Sequence, residues 1–452
     1  MFGFSGARQW VYPMAQPGRF QRWHTISSVA LHLILFVTPW ITVAGNPALR
    51  IDLPGRRVFV LGGIYTARDS ILLLLILLFL AFALFFFTSL WGRIWCGYAC
   101  PQTVFLESWI RPIEKWIEGD RGARMRRDKG GISLDYAWRK AAKWSLFALA
   151  AFVIAMAFIA FFAGARELWT GRAGVASYTL VGIITVALFW DFAWFREQFC
   201  NYLCPYARFQ GALTDEESLL IAYDRARGEP RGGPLAKTDG RCVECNKCVA
   251  VCPQGIDIRN GFQLECIACG HCIDACTDVM GKLGHPTLVR YSTIAADEGR
   301  KVRRLRPRTV VYGGLLGGIA ATWIALVAGH VPFEATVNRM PGSLFTIDTD
   351  GAVRNTFLLR IENKSAGDGQ VPFHVHVTGL PGAQVICDDI RLASTEDRIV
   401  PLVVRVPRAL ATDRTIPIQV HVTSPTDSLV LGTTFKSGGE LHDERQPERE
   451  TD

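Results

Sequence analysis

Charge is scarce in this sequence. Only 20% of its 452 residues are Asp, Glu, Lys or Arg, and 49 basic against 41 acidic residues leave a net charge of +8. So little charge, alongside 27 Phe and 13 Trp, excludes a disordered tail protein, which would be charge-rich and aromatic-poor. The C-x-x-C-H signature of a covalently attached c-type haem is missing too, so onward transfer of electrons through such a haem would need a partner. Half the residues are apolar, and their uneven spread argues against an ordinary soluble enzyme.

Crossing a hydrocarbon core of about 30 Å takes about 20 mostly apolar residues. Ile71–Leu90 and Trp144–Ala163 meet this without a single charge. Ile26–Ala44 carries one His and one Pro, Ala176–Phe195 one Asp, and Thr309–Gly329 is glycine-rich. Five spans are expected. Thr42-Val43-Ala44 is small enough for a cleavage site, but the long run and the long polar segment ahead of it favour an uncleaved anchor.

Lys and Arg number three in 1–25, eleven in 91–143 and seventeen in 196–308, against four in 45–69 and two in 164–175. By the positive-inside rule the first three segments are cytoplasmic and the tail after the fifth span is outside. Arg300, Lys301, Arg303, Arg304, Arg306 and Arg308 precede that span and face anionic headgroups, with no need of nucleic acid. The chain divides into a cytoplasmic segment 1–25, a membrane domain 26–238 with four spans, a cysteine-rich insertion 239–300, a linker and fifth span 301–332, and an outer domain 333–452.

Eight of the 13 cysteines form two runs. Cys242, Cys245, Cys248 and Cys252, followed by Pro253, precede Cys266, Cys269, Cys272 and Cys276. This is the spacing of bacterial two-cluster ferredoxins, where three cysteines of one run and the last of the other hold each [4Fe–4S] centre. The expected sets are Cys242, Cys245, Cys248 with Cys276, and Cys266, Cys269, Cys272 with Cys252. Pro253 stops a helix after the fourth thiolate, whereas Thr277 stands at the matching place in the second run. Disulfides would be reduced in the cytoplasm, and zinc ribbons space their ligands less closely. Two adjacent clusters make a one-electron wire.

Four more cysteines repeat as C-x3-C-P: Cys96, Cys100, Pro101 and Cys200, Cys204, Pro205. Each motif follows an apolar span on the cytoplasmic face, and i, i+4 spacing sets both sulfurs on one helix face. Two such pairs can converge on one soft ion. Copper(I) is the first choice, with zinc or another cluster as alternatives. Asp191 and His32 are polar groups inside spans, and intramembrane acids tend to be functional. Gly313, Gly314, Gly317 and Gly318 form a close-packing face for another helix, within the chain or in a homodimer. Cys387 is read as a buried strand residue.

From about residue 333 the pattern has period two. Phe357–Ile361, Phe373–Val377, Val400–Val406 and Ile416–Val422 read as strands of an immunoglobulin-like sandwich without its paired cysteines. Turns such as the one around Ser365-Ala366-Gly367 separate them. His374, His376 and His421 alternate with valines on the outward face, as solvated positions rather than a periplasmic copper site. The polar stretch from Gly438 onward reads as a frayed end.

WCGYACPQT at 95–103, FCNYLCPYARFQ at 199–210 and the block from Cys242 to LVRYST at 288–293 resemble the cytochrome c oxidase accessory protein family, called CcoG, FixG or RdxA. The resemblance covers nearly the whole length. It implies a multi-pass bacterial inner-membrane ferredoxin-like protein that reduces Cu(II) to Cu(I) and serves assembly of cbb3-type cytochrome oxidases. It further implies two [4Fe–4S] clusters, a cytoplasmic electron donor, and partners among oxidase subunits or copper transporters and chaperones. By matching position, Cys96, Cys100, Cys200 and Cys204 would bind or reduce copper. The rival readings are a quinol-linked electron-transfer subunit and a non-catalytic assembly scaffold.

Overall fold

The computed structural model describes residues 10–66, 69–232, 240–303, 305–329, 331–365, 369–411 and 413–438. Arg8, Arg304, the Ala366-Gly367 part of a predicted turn and the polar end beyond 438 lie outside them. The chain forms two compact units. One comprises the described residues up to Trp40 and Ile71–Ile324; the other comprises Ile41–Ser70 and the described residues from Ala325 on.

The first unit holds the long helices α1 (Arg19–Val37), α2 (Ser70–Trp91), α3 (Leu134–Ala163), α4 (Val175–Trp190) and α5 (Pro307–Ala328). Among the described residues four helices are long and apolar enough to cross a membrane: α2, α3, α4 with its continuation to Phe195, and α5. α1 is not among them, and its limits differ from the expected Ile26–Ala44. It starts at Arg19 because Asp274 caps it, accepting from Phe20 N (3.2 Å) and Gln21 N (2.9 Å). It stops at Val37, two residues ahead of Pro39, which cannot continue a helix. Two arginines in the first turns dilute its apolar character.

The cap leads to a prediction. Asp274→Ala leaves two amides of α1 unpaired and is expected to cost about 1 kcal/mol. Thermal unfolding of the purified protein should show a lowered Tm, with Asp274→Asn, which keeps one accepting oxygen of the two, between that variant and the parent.

α3 is the central helix. Its alanine-rich stretch with Ala155, Met156, Ile159 and Ala160 buries against Val181 of α4, because small side chains let backbones approach closely. The glycine face of α5 finds little within the chain. A Cβ at Gly313 would lie 3.4 Å from Phe86 of α2, while Gly314, Gly317 and Gly318 face open space.

Strands Leu220–Tyr223 and Val289–Ser292 pair antiparallel and bracket the two cysteine runs. The expected boundary at 239 therefore falls inside this substructure. After Cys252 the chain turns at Pro253, whereas the helix His271–Lys282 runs on past Cys276. Thr277 retains the amide that a proline would lack, and its hydroxyl donates to Ile273 O (2.7 Å).

In the second unit β1 (Leu49–Asp52), β2 (Arg57–Val60) and β3 (Gly63–Thr66) form a meander that the sequence reading left as a loop of the membrane domain. It joins the C-terminal domain through Lys364, whose ammonium lies 2.7 Å from Asp69 and 3.0 Å from Glu334. The remaining strands are β4 (Phe333–Arg339), β5 (Val353–Asn363), β6 (Val371–Thr378), β7 (Gln384–Ile386), β8 (Ile390–Leu392), β9 (Asp397–Val406), β10 (Thr415–Thr423) and β11 (Ser428–Lys436). They make two antiparallel sheets, β7-β9-β5-β4, with Thr346–Ile347 added to β5, and β8-β6-β10-β11. Alternate residues fill a shared core, among them Phe357, Leu359, Leu402, Val404, Phe373, Val420 and Phe435. All four expected strands lie within β5, β6, β9 and β10. Cys387 differs from expectation: it follows β7 and is only half-buried.

Candidate redox centre

The cysteine runs interleave in space. One cleft is lined by Cys242, Cys245, Cys248 and Cys276, with Tyr223 and Arg259. A second is lined by Cys252, Cys266, Cys269 and Cys272. These are the crossed sets expected from spacing. Cys248 borders both clefts, so the two cradles share a wall. Cys245 is exposed, whereas none of the four cysteines of the second cradle is.

The donor set fits iron–sulfur chemistry. Burial pushes the thiol of Cys248 up to about 12, Cys252 to about 11, and Cys266 and Cys269 to about 12. Thiols so reluctant to ionise need a cationic centre to hold them as thiolates. Among the described residues no three His, Cys, Asp or Glu are gathered tightly enough for a single metal ion. Four sulfurs spread around a cavity suit a cubane instead.

Backbone geometry supports the cradles. Glu244, Asn246 and Ala268 adopt positive φ, a strained conformation that loops around ligands retain. Tyr98 donates to Cys269 O (3.0 Å) and Tyr291 to Ala268 O (2.5 Å), pinning the loop of the second cradle.

The C-x3-C-P cysteines stand beside that loop. Cys96 packs in one buried cluster with Ile267, Cys269 and Tyr206. A Cβ at Gly97 would come within 2.6 Å of Ile267 O, so only glycine admits this approach. Cys96, Cys100 and Cys204 all raise the cost of ionising Cys200, which makes the four sulfurs one electrostatic group. Burial pushes Cys96 up to about 11, with Arg93 pulling the other way. The Arg93 guanidinium donates to Gln210 Oε1 (2.7 Å) and to Leu264 O, and Cys96 Sγ lies 3.4 Å from the same Gln210 oxygen. Arg93 is thus a buried cation between the quartet and Cys266. Pro101 and Pro205 each start a new helix right after the second cysteine of a motif.

Arg93, Gln210, Tyr98 and Tyr291 were not singled out from sequence. The available signal was Arg93 three residues ahead of Cys96, one helical turn away. Asp191 is buried beside Gln102 at the start of a π-turn, Asp191–Phe195, that leads toward Cys200; such turns recur at functional sites. His32 is committed elsewhere: Nδ1 bonds Ser28 O (2.7 Å) and Nε2 accepts from Trp109 (2.6 Å). His376 stacks on His421 with ring centroids 4.4 Å apart, and His374 and His376 are exposed as expected.

Comparison with known proteins agrees with this geometry. A 4Fe-4S dicluster domain model matches residues 195–294, a 4Fe-4S binding domain model matches 73–123, and a model of the Ig-like fold at the C-terminus of FixG matches 323–437. Protein RdxA of Cereibacter sphaeroides is 35% identical over 82% of this chain and 83% of its own length. The nitrogen fixation protein FixG of Rhizobium meliloti is 34% identical over 92% of this chain and 87% of its own. The chain belongs to the FixG/RdxA family. The ferredoxin-type protein NapH of Haemophilus influenzae is a more distant relative, 24% identical over 45% of this chain and 66% of its own. This FixG/RdxA-family member is a membrane iron–sulfur electron-transfer protein with two [4Fe–4S] clusters.

Proposed function

We propose that the chain reduces Cu(II) to Cu(I) at Cys96, Cys100, Cys200 and Cys204, in the service of cbb3-type oxidase assembly. The carrying observation is the burial of Cys96 against Cys269. In this reading Cys242, Cys245, Cys248 and Cys276 hold one cluster, and Cys266, Cys269, Cys272 and Cys252 the other. Clusters so held supply one-electron storage. The chain's own residues arrange a line: exposed Cys245, the shared wall at Cys248, enclosed Cys269, then Cys96. Arg93 offsets thiolate charge in the quartet. Thiolates prefer the softer cuprous product; no three of the quartet are gathered tightly enough for a single ion as they stand, so in this reading the sulfurs close on the ion as it binds and retain it after one electron arrives.

Five spans, with the cluster-bearing segment cytoplasmic and the immunoglobulin-like domain periplasmic, belong to the same proposal. Support comes from chain parity. The segment before α1 bonds to the cluster-bearing part, Met14 N to Ala250 O (2.8 Å), while the segment after α1 bonds to the outer domain, Thr66 to Glu334 (3.1 Å). In this reading α1 crosses along with α5.

A second reading has its own support. The 4Fe-4S binding domain model spans Cys96 and Cys100, which favours a third cluster in the quartet. One experiment separates the two: anaerobic purification with Cys→Ser at 96, 100, 200 and 204. The copper reading expects about eight iron atoms per chain before and after the change, with cupric reduction lost. Unchanged reduction overturns it, and a fall from about twelve irons to eight establishes the third cluster.

A further inference from the structure

A cavity of ≈ 220 Å³ opens beside the second cradle, with Cys266 itself in its wall. Gly92, Arg93, Leu219, Leu264 and Asp215 line it as well. The cavity is tied to the membrane helix α2. Leu219 N donates to Leu90 O (3.1 Å) and Ser218 Oγ to Ser89 O (2.8 Å), so its wall is stapled to the last turn of that span. Gly92, the first residue past α2, has φ +58°, and a Cβ there would meet Leu219 O at 2.2 Å. The chain therefore closes tightly around this opening. Trp91, Phe262 and Leu264 leave apolar surface exposed around it. Trp at the end of a span marks the headgroup level, and a pocket with mostly apolar walls and a few polar groups is the usual form of a small-molecule site.

We propose that this cavity binds a membrane quinol, which delivers electrons to the cluster held by Cys266. Three observations select this occupant. The rim is apolar at the level where α2 ends, so the ligand arrives from lipid. A cluster ligand forms the wall, so the ligand is redox-active. Asp215 and Glu216 stand in the same lining; Arg306 pairs with the first and Arg300 with the second, and both carboxylates reach solvent, so protons released by the ligand have a path to water. The balance is complete. Both O–H bonds of the quinol break and quinone forms; its two electrons pass one at a time to the two clusters, each reduced by one. Its two protons pass to the carboxylates and on to water. The proposal rests on the iron–sulfur reading and not on copper.

The test uses the full-length protein in detergent under anaerobic conditions, without copper, with menadiol as the quinol. EPR should show the clusters reduced by menadiol. Menadione, the oxidised form, should quench tryptophan fluorescence in a saturable manner. Gly211→Leu, whose Cβ position lies 3.6 Å from Leu264, and Leu264→Trp both fill the cavity. Each should weaken menadione binding and slow reduction at least about tenfold, with reduction by dithionite and iron content unchanged. Equal rates in parent and variants overturn the proposal. So does a phospholipid that co-purifies in the parent, is lost in the variants, and is not displaced by menadione: the cavity is then an acyl-chain site. Failure here leaves cupric reduction by dithionite-reduced protein intact, so the two readings fail separately.

Discussion

Cys276→Ser strips iron from the cradle of Cys242, Cys245 and Cys248 and leaves the cradle of Cys266, Cys269 and Cys272 loaded; Cys252→Ser does the reverse. Each variant should retain about half the iron of the parent, since each cubane takes four thiolates. The reason is that the last cysteine of each run lines the cavity of the other run. Ligation within each run would give the opposite pairing. Iron analysis with EPR distinguishes the outcomes, because one cradle has an exposed ligand and the other has none. The functional consequences also differ. Cys252 belongs to the cradle whose Cys269 packs in one buried cluster with Ile267 and Cys96, so its loss should abolish transfer to the quartet even with the cluster of Cys242, Cys245 and Cys248 intact. A Cys252→Ser protein that keeps cupric reduction would break the proposed order of the relay.

The second large effect lies in a buried charge network. Glu114 is 2% exposed and is bound by Arg196 through two bonds (2.9 and 3.0 Å) and by Arg124 (2.9 Å), with Lys143 of α3 at 3.9 Å. Glu114→Gln takes from Arg124 and Arg196 their short carboxylate contacts in a desolvated place, while Lys143 keeps Glu118 at 2.8 Å and Arg196 keeps Glu197 at 3.7 Å; the loss is expected to cost about 3 kcal/mol. Arg196 adopts φ +55° four residues ahead of Cys200, so the same change loosens the backbone that presents the second C-x3-C-P motif. The pH dependence has a definite sign. Burial opposes ionisation of Glu114, but Arg196, Lys143 and Arg124 outweigh it and hold the carboxyl below its ordinary value. The network therefore stabilises the fold above about pH 4.3, the usual glutamate value, and the contribution fades as pH falls through that value toward the lower folded one. Thermal unfolding against pH should show parent and Glu114→Gln far apart at neutral pH and converging in acid. A constant gap would mean that the carboxylate charge is not the source.

The elements that follow from local chemistry were legible. Uninterrupted apolar runs become α2 and the inner part of α3 because nothing in them prefers water. Alternation at Phe357–Ile361 and Val400–Val406 becomes β5 and β9 because side chains of a strand point to opposite faces. Cysteine spacing names the two cluster sets because three closely spaced thiolates can wrap one cubane while the fourth reaches its neighbour.

Where an element ends was harder to read. α1 begins seven residues early because its cap, Asp274, lies about 250 residues away in the chain, and no local signal announces such a partner. The 45–69 segment looked like a plain loop because its short strands become a meander held to the C-terminal domain by Lys364, Asp69 and Glu334. Glu114 looked like one charge among many in a basic segment until folding drew Arg124, Lys143 and Arg196 around it.

By itself the sequence determined membrane residence, the iron–sulfur chemistry and the two runs of eight cysteines whose spacing points to it, since these depend on composition and on spacings of a few residues. Only the tertiary structure decided that Cys96 lies against Cys269, that Arg93 is buried between the two groups, and that an apolar cavity opens next to Cys266. Those are contacts between segments far apart in the chain, set by how the helices and loops pack, and no short-range pattern encodes them.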